Sequence, residues 1–134
     1  MKDSYILGLN IYHGDSSACI MKNGEIIFAI EEERINRIKH WAGFPLESVK
    51  LCLEHANISL SQVDYLAINT NPLSNIWGKI KFGITNLNSY KLIIKKLIIR
   101  NKKNSIDKIL KEIFDTTKIP QIKYFDHHLC HIAS

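Results

Sequence analysis

Asn23-Gly24, set between the apolar runs Ala18 to Met21 and Ile26 to Ile30, constrains this chain more than any other feature. Both central positions of a tight hairpin turn need positive φ. Glycine adopts it freely and asparagine tolerates it. The run before this pair, Tyr5 to Tyr12, is short, apolar and partly β-branched, and it ends in the turn-forming cluster His13-Gly14-Asp15-Ser16-Ser17. Residues 5 to 30 therefore predict a three-stranded antiparallel meander.

Beyond residue 30 the pattern changes. Glu31 to His40 reads as a charged exit from the third strand, and Trp41-Ala42-Gly43-Phe44 as a loop. Pro45 sits where a helix begins, because its missing N–H is no loss there. Leu46, Val49, Leu51, Cys52, Leu53 and Ala56 then give an apolar helical stripe ending near Asn57. Val63 to Asn69 predicts a buried strand. Residues 76 to 115 predict one or two helices with a basic outer face, an insertion ahead of the last strand, Pro120 to Phe125. A further helix is expected to open in Asp126-His127-His128. The expected fold is α/β: a mixed five-stranded sheet in the order β-β-β-α-β-α-β-α, with helices packed on it. This layout is similar to half of the ribonuclease-H-like subdomain shared by actin-like ATPases and sugar kinases.

Composition narrows the class. At 134 residues the chain suits one core, either one domain or a piece of one. No apolar run reaches the roughly 18 to 20 residues of a membrane-spanning helix. Met1-Lys2-Asp3-Ser4 lacks the marks of a signal peptide. Cys19, Cys52 and Cys130 are odd in number and widely spaced, which predicts reduced thiols in a cytoplasmic protein. The net charge of +5 is local: residues 76 to 111 hold ten Lys/Arg and one acidic residue, a balance of +9, and the rest carries −4. That is a solvated face over amphipathic helices, not a whole-domain nucleic-acid footprint. The chemistry-rich ending at Ser134, without a cap or polar tail, leads to the expectation of a truncated chain.

Three stretches hold candidate chemistry. In His13-Gly14-Asp15-Ser16-Ser17, backbone N–H groups and hydroxyls at a bend suit a phosphate, Asp15 suits a cation, and His13 suits proton transfer. The same residue types are ordinary turn formers. In Glu31 to His40, Lys39 could meet an anion, or the whole run could be a self-paired solvated face. In Asp126 to His131, His127 and His131 stand four apart and would share one helix face, a spacing suited to a metal ion. Two ligands are too few, and a third would have to come from elsewhere.

These stretches together resemble the O-carbamoyltransferases that decorate nodulation factors, cephalosporin-type antibiotics and aminoglycosides. The resemblance rests on Ile6 to Asn10 with His13 to Ala18, on Glu31 to His40 with Gly43-Phe44-Pro45, and on His127 to Ser134. The basic segment at 76 to 111 lies outside it. The resemblance implies an actin-like ATPase fold related to the tRNA threonylcarbamoyladenosine-forming proteins. It also implies iron(II) as cofactor, with ATP and carbamoyl phosphate as co-substrates that give a carbamoyl-adenylate. The carbamoyl group then passes to a hydroxyl of a small-molecule acceptor.

Carried residue by residue, His127 and His131 match the histidine metal ligands, and His13 matches the histidine facing the reacting groups. Lys39 matches the lysine that contacts nucleotide or carbamoyl phosphate, with Asp15, Ser16 and Ser17 completing the binding bend. Gly14 separates His13 from Asp15 where many relatives read His-Asp directly. An aspartate ligand, the second half of the ATPase fold and the adenylate-forming domain are expected beyond these residues, so the chain alone is expected to be inactive. The rival readings are another actin-like enzyme, a sugar kinase or a tRNA-threonylcarbamoyl-type protein, and a non-catalytic binding module. Nucleic acid is not an expected partner and no membrane span is expected; attraction of the basic segment to an anionic substrate or a membrane surface stays open, as does a homo-oligomer.

Overall fold

A computed structural model of the chain describes residues 3–12, 14–69, 106–126 and 130. The expected helices between 76 and 105, His13, and most of the histidine-rich ending lie outside the described residues. The chain divides into two compact units, Met1–Asn71 with Thr116–Ser134, and Pro72–Asp115.

The first unit is built on the expected meander. Strands β1 (Tyr5–Asn10), β2 (Ser17–Lys22) and β3 (Glu25–Glu31) run antiparallel in sequence. Asn23 and Gly24 take φ of 52° and 90°, the positive values for which the pair was singled out. Strands β4 (Tyr65–Ile68) and β5 (Gln121–Tyr124) add on the far side of β1, both parallel to their neighbours. The resulting five-stranded mixed sheet has the order β3-β2-β1-β4-β5. That order, with only β2 reversed, is the ribonuclease-H-like pattern that the layout of elements implied.

Alternation along the strands separates two faces. Leu7 and Leu9 of β1, Ala18 and Ile20 of β2, and Leu66 and Ile68 of β4 are buried. Helix α2 (Leu46–Ala56) packs against β2 and β3 and contributes Val49, Cys52 and Leu53 to the core. Of the stripe read from the sequence, Val49, Cys52 and Leu53 are buried, while Leu46, Leu51 and Ala56 are half-buried. On the same side, the Phe28 ring of β3 stacks on His55 of α2 at 4.0 Å between centroids.

One element departs from expectation. Glu31 to His40 was read as a charged exit from β3. Within it, Glu32–Asn36 forms a short helix, α1, closed by Arg37 in the left-handed region at φ 62°. Its first residue is not solvated: Glu32 is only 4% exposed. The cause lies in α2, whose N-cap Pro45 has no side-chain acceptor for the free N–H groups of the first turn. The Glu32 carboxylate supplies it, accepting the backbone N–H groups of Glu47 and Ser48 and the Ser48 hydroxyl. A carboxylate at a helix N-terminus also faces the positive end of the helix dipole.

Ser59 to Gln62, read as a linker, contains a single 3-10 turn at Leu60–Gln62. In the second unit, α3 (Ile106–Phe114) keeps the expected helical period: Ile106 and Leu110 are buried, while Asp107, Lys111 and Glu112 are exposed. No helix among the described residues is long and apolar enough to cross a membrane.

Candidate functional site

The parallel pair β1 and β4 carries an asparagine at each carboxyl end, Asn10 as the last residue of β1 and Asn69 just after β4, and this end of the sheet carries the candidate residues. Asn69 donates its amide to Asn10 Oδ1 at 2.8 Å, and Asn10 in turn donates to the Asp15 carbonyl at 2.9 Å. The two strand ends thereby hold the bend between β1 and β2. Asp15 sits in the left-handed region at φ 62°, where aspartate is one of the better-tolerated residues.

Ser16 joins this bend to the segment after α1. It is fully buried; its N–H donates to the Trp41 carbonyl at 2.9 Å and its hydroxyl to the Gly43 carbonyl at 2.8 Å. Its own carbonyl accepts the N–H of Glu32. Ser16 was expected to face a phosphate; in this fold those donors bind loop to loop. Ser17 opens β2 and lines a cleft on the open face of the sheet.

A second connection is exposed. Asp15 Oδ1 lies 3.0 Å from His40 Nδ1, and the His40 backbone N–H donates to Glu33 Oε2 at 3.1 Å. Immediately before, the Ile38 N–H donates to Asn36 Oδ1 at 2.8 Å. Lys39 thus lies between two residues whose backbones are held by side-chain acceptors. Its own side chain is exposed and has no hydrogen-bond or ion-pair partner among the described residues.

The cleft, lined by Asn10, Ser17, Glu31 and Arg34 among others, measures about 680 Å³, within the usual range of small-molecule sites. Its floor is a row of small side chains in register across four strands: Ala29, Cys19, Gly8 and Ala67. A Cβ on Gly8 would meet Cys19 Sγ at 2.7 Å, so glycine is what lets the cysteine lie across β1. Burial pushes the Cys19 thiol above its ordinary value, so the floor stays uncharged. Glu31 and Arg34, paired at 3.3 Å, supply the charged rim.

The structure brings together Asp15, Ser16 and the Lys39 segment. His13, His127 and His131 lie outside the described residues. Between the latter two, Cys130 is exposed, lines the cleft, and donates its N–H to the Asp126 carbonyl at 3.1 Å. Among the described residues, the ligand atoms of Asp15, Glu33 and His40 lie within 4.8 Å of one another, the one set of metal-donor groups so close. Sequence reasoning singled out neither Glu33 nor His40 for a role. Asn10 and Asn69 were missed as well, although a polar residue at the end of each of two apolar strands was a usable signal.

A mixed five-stranded sheet with helix α2 packed on it, and a bend and a loop joined at the carboxyl ends of its parallel strands, define an α/β domain. A family model described as Carbamoyltransferase N-terminus matches residues 5–134. The chain belongs to that family. It is 34% identical to protein sll1178 of Synechocystis sp. over 140 residues, covering 98% of this chain and 23% of that protein. It is 32% identical to nodulation protein NolNO of Sinorhizobium fredii over 127 residues, covering 93% of this chain and 18% of that protein. The chain therefore spans less than a quarter of the length of these relatives. Among solved structures it is similar to YeaZ from Pseudomonas aeruginosa, with a TM-score of 0.37 and 21% identity, covering 66% of this chain and 39% of that one.

Proposed function

We propose that the full-length protein transfers a carbamoyl group from carbamoyl phosphate, activated with ATP as a carbamoyl-adenylate, to a hydroxyl of a sugar or antibiotic-like acceptor. Family membership over residues 5–134 is the observation that carries this reading. The geometry supports it: Lys39 stands exposed in a loop bonded to the Asp15 bend, and Ser17, which follows that bend, lines a cleft of small-molecule size.

In the transfer step the acceptor oxygen bonds to the carbamoyl carbon, and the bond from that carbon to the phosphate oxygen breaks, so AMP leaves with the electron pair. The hydroxyl proton goes to a base, the role proposed for His13. Lys39, a compact point charge, holds a phosphate oxygen and offsets the charge that builds on the leaving group. Asp15 orients the bend, and Ser17 offers its hydroxyl on the cleft side. Iron(II) is proposed as the resident metal, held by His127, His131 and a ligand from beyond this chain; it would supply Lewis acidity when bound.

Mass spectrometry of acceptors incubated with full-length protein, carbamoyl phosphate and ATP tests the reading. A gain of one carbamoyl group, dependent on both co-substrates, is expected. Phosphoryl transfer to the acceptor instead would replace this reading with that of a sugar kinase.

A further inference from the structure

Two loops that the sequence separates by some twenty residues are joined twice, and the two joints differ in kind. The inner joint, Ser16 to Trp41 and Gly43, is buried and belongs to the fold. The outer joint, Asp15 to His40, is exposed, with side chains 51% and 80% accessible. Nothing in the core depends on it. It fixes two things: the direction of the Asp15 carboxylate, and the backbone of the residue following Lys39.

The second effect is reinforced from the other side. Glu33 Oε2 holds the His40 N–H, in the peptide that follows Lys39, and Asn36 Oδ1 holds the Ile38 N–H one peptide further back, while the Lys39 side chain has no partner among the described residues. His40 itself takes φ 55°, a left-handed backbone uncommon for residues other than glycine, though histidine is among those that tolerate it. Among the described residues, the charged groups in contact with His40 are Asp15 and Glu33. An anion arriving at Lys39 meets two carboxylates that oppose it. With its Nδ1 proton directed to Asp15, His40 partly offsets one of them, and its main chain engages the other.

We propose that His40 is a positioning residue: bonded to Asp15 and held by Glu33, it fixes the loop that carries Lys39, so that the Lys39 ammonium is presented to a phosphate group. This deepens the proposed carbamoyl transfer and rests on it for the identity of the substrate. It does not rest on it for the anion site itself.

The test uses full-length protein and the variants His40→Ala and His40→Asn. Asparagine suits a left-handed backbone and keeps an N–H donor for the carboxylate. His40→Ala is expected to raise KM for carbamoyl phosphate by about tenfold, the scale of one hydrogen bond to a charged group, with kcat changed less than about twofold. Its melting temperature should be that of the wild type, and His40→Asn should recover most of the lost affinity. Calorimetry with inorganic phosphate gives a readout apart from turnover, with the same ranking expected. If the wild type binds phosphate, His40→Ala binds it more weakly, and no carbamoyl group is transferred, the proposed function falls and this inference stands. Unchanged phosphate affinity in His40→Ala, no phosphate binding by the wild type, or a fall in kcat at constant KM would each overturn it.

Discussion

The Glu32 carboxylate accepts the Ser48 hydroxyl at 2.7 Å and the Ser48 backbone N–H at 2.8 Å, across 16 positions of sequence. A short charged helix is thereby docked onto the start of α2, and the loop that carries Lys39 and His40 has a fixed root.

Glu32→Ala is accordingly expected to destabilise the domain by about 2 to 4 kcal/mol. It strands the first N–H groups of α2 and the Ser48 hydroxyl in a buried place. Glu32→Gln keeps acceptor oxygen and should cost about 1 to 2 kcal/mol. Urea unfolding followed by circular dichroism reads both, and equal stability of the two variants would show that the buried acceptor is not what matters.

The contrast with Asn23-Gly24 explains what could be read from the chain. That turn is a local matter, decided by two adjacent residues, and so were the strands on either side and the apolar stripe of α2. Glu32 looked like one more member of Glu31 to His40, because its partner is sixteen residues away and no local pattern announces it. The same holds for Asp15 and His40, separated by 25 positions. Ser16 was legible as a bend residue but not as a stitch, since its acceptors are backbone carbonyls of a loop whose path sequence does not show. The family was legible because motif residues announce themselves by type and order.

The cleft floor gives a second expectation. Gly8→Ala places a Cβ at 2.7 Å from Cys19 Sγ, so the sulfur must move or the strands must part. A loss of about 1 to 3 kcal/mol is expected from the overpacking. Adding Cys19→Ala, which removes the sulfur, should restore part of it. Strictly additive losses in the double variant would contradict the contact.

Thiol chemistry offers a third. Burial, with a smaller contribution from Cys19, pushes the Cys52 thiol up to about 12, and burial raises Cys19 too. The thiolate is the reactive form, so both should resist an aromatic disulfide reagent at pH 8 in folded protein, while exposed Cys130 reacts at once. Urea should release the other two. The linkage has a definite sign: with its folded value above its unfolded one, Cys52 contributes stability below the ordinary value of 9.0 that is lost as pH rises toward 12.

The Asp3–Lys22 pair, 2.8 Å apart at the open end of the meander, titrates in opposite directions. The hydrogen bond from Lys22 holds Asp3 below its ordinary 3.8, and that from Asp3 holds Lys22 above 10.5. The Asp3 contribution is present above pH 3.8 and lost as pH falls through the lowered value. The Lys22 contribution is present below 10.5 and lost as pH rises through the raised one. Lys22→Met should move the Asp3 carboxyl back up in an NMR titration; no movement would mean the pair is not formed in solution.

The most direct measurement of the whole account follows a [13C]carbamoyl phosphate label by NMR in the presence of full-length protein, ATP and a hydroxyl-bearing acceptor. The account predicts a new carbamate ester signal that grows with AMP release and is lost or strongly slowed in Lys39→Met. Label that stays in carbamoyl phosphate, or an ester formed as fast by Lys39→Met as by the wild type, would contradict it.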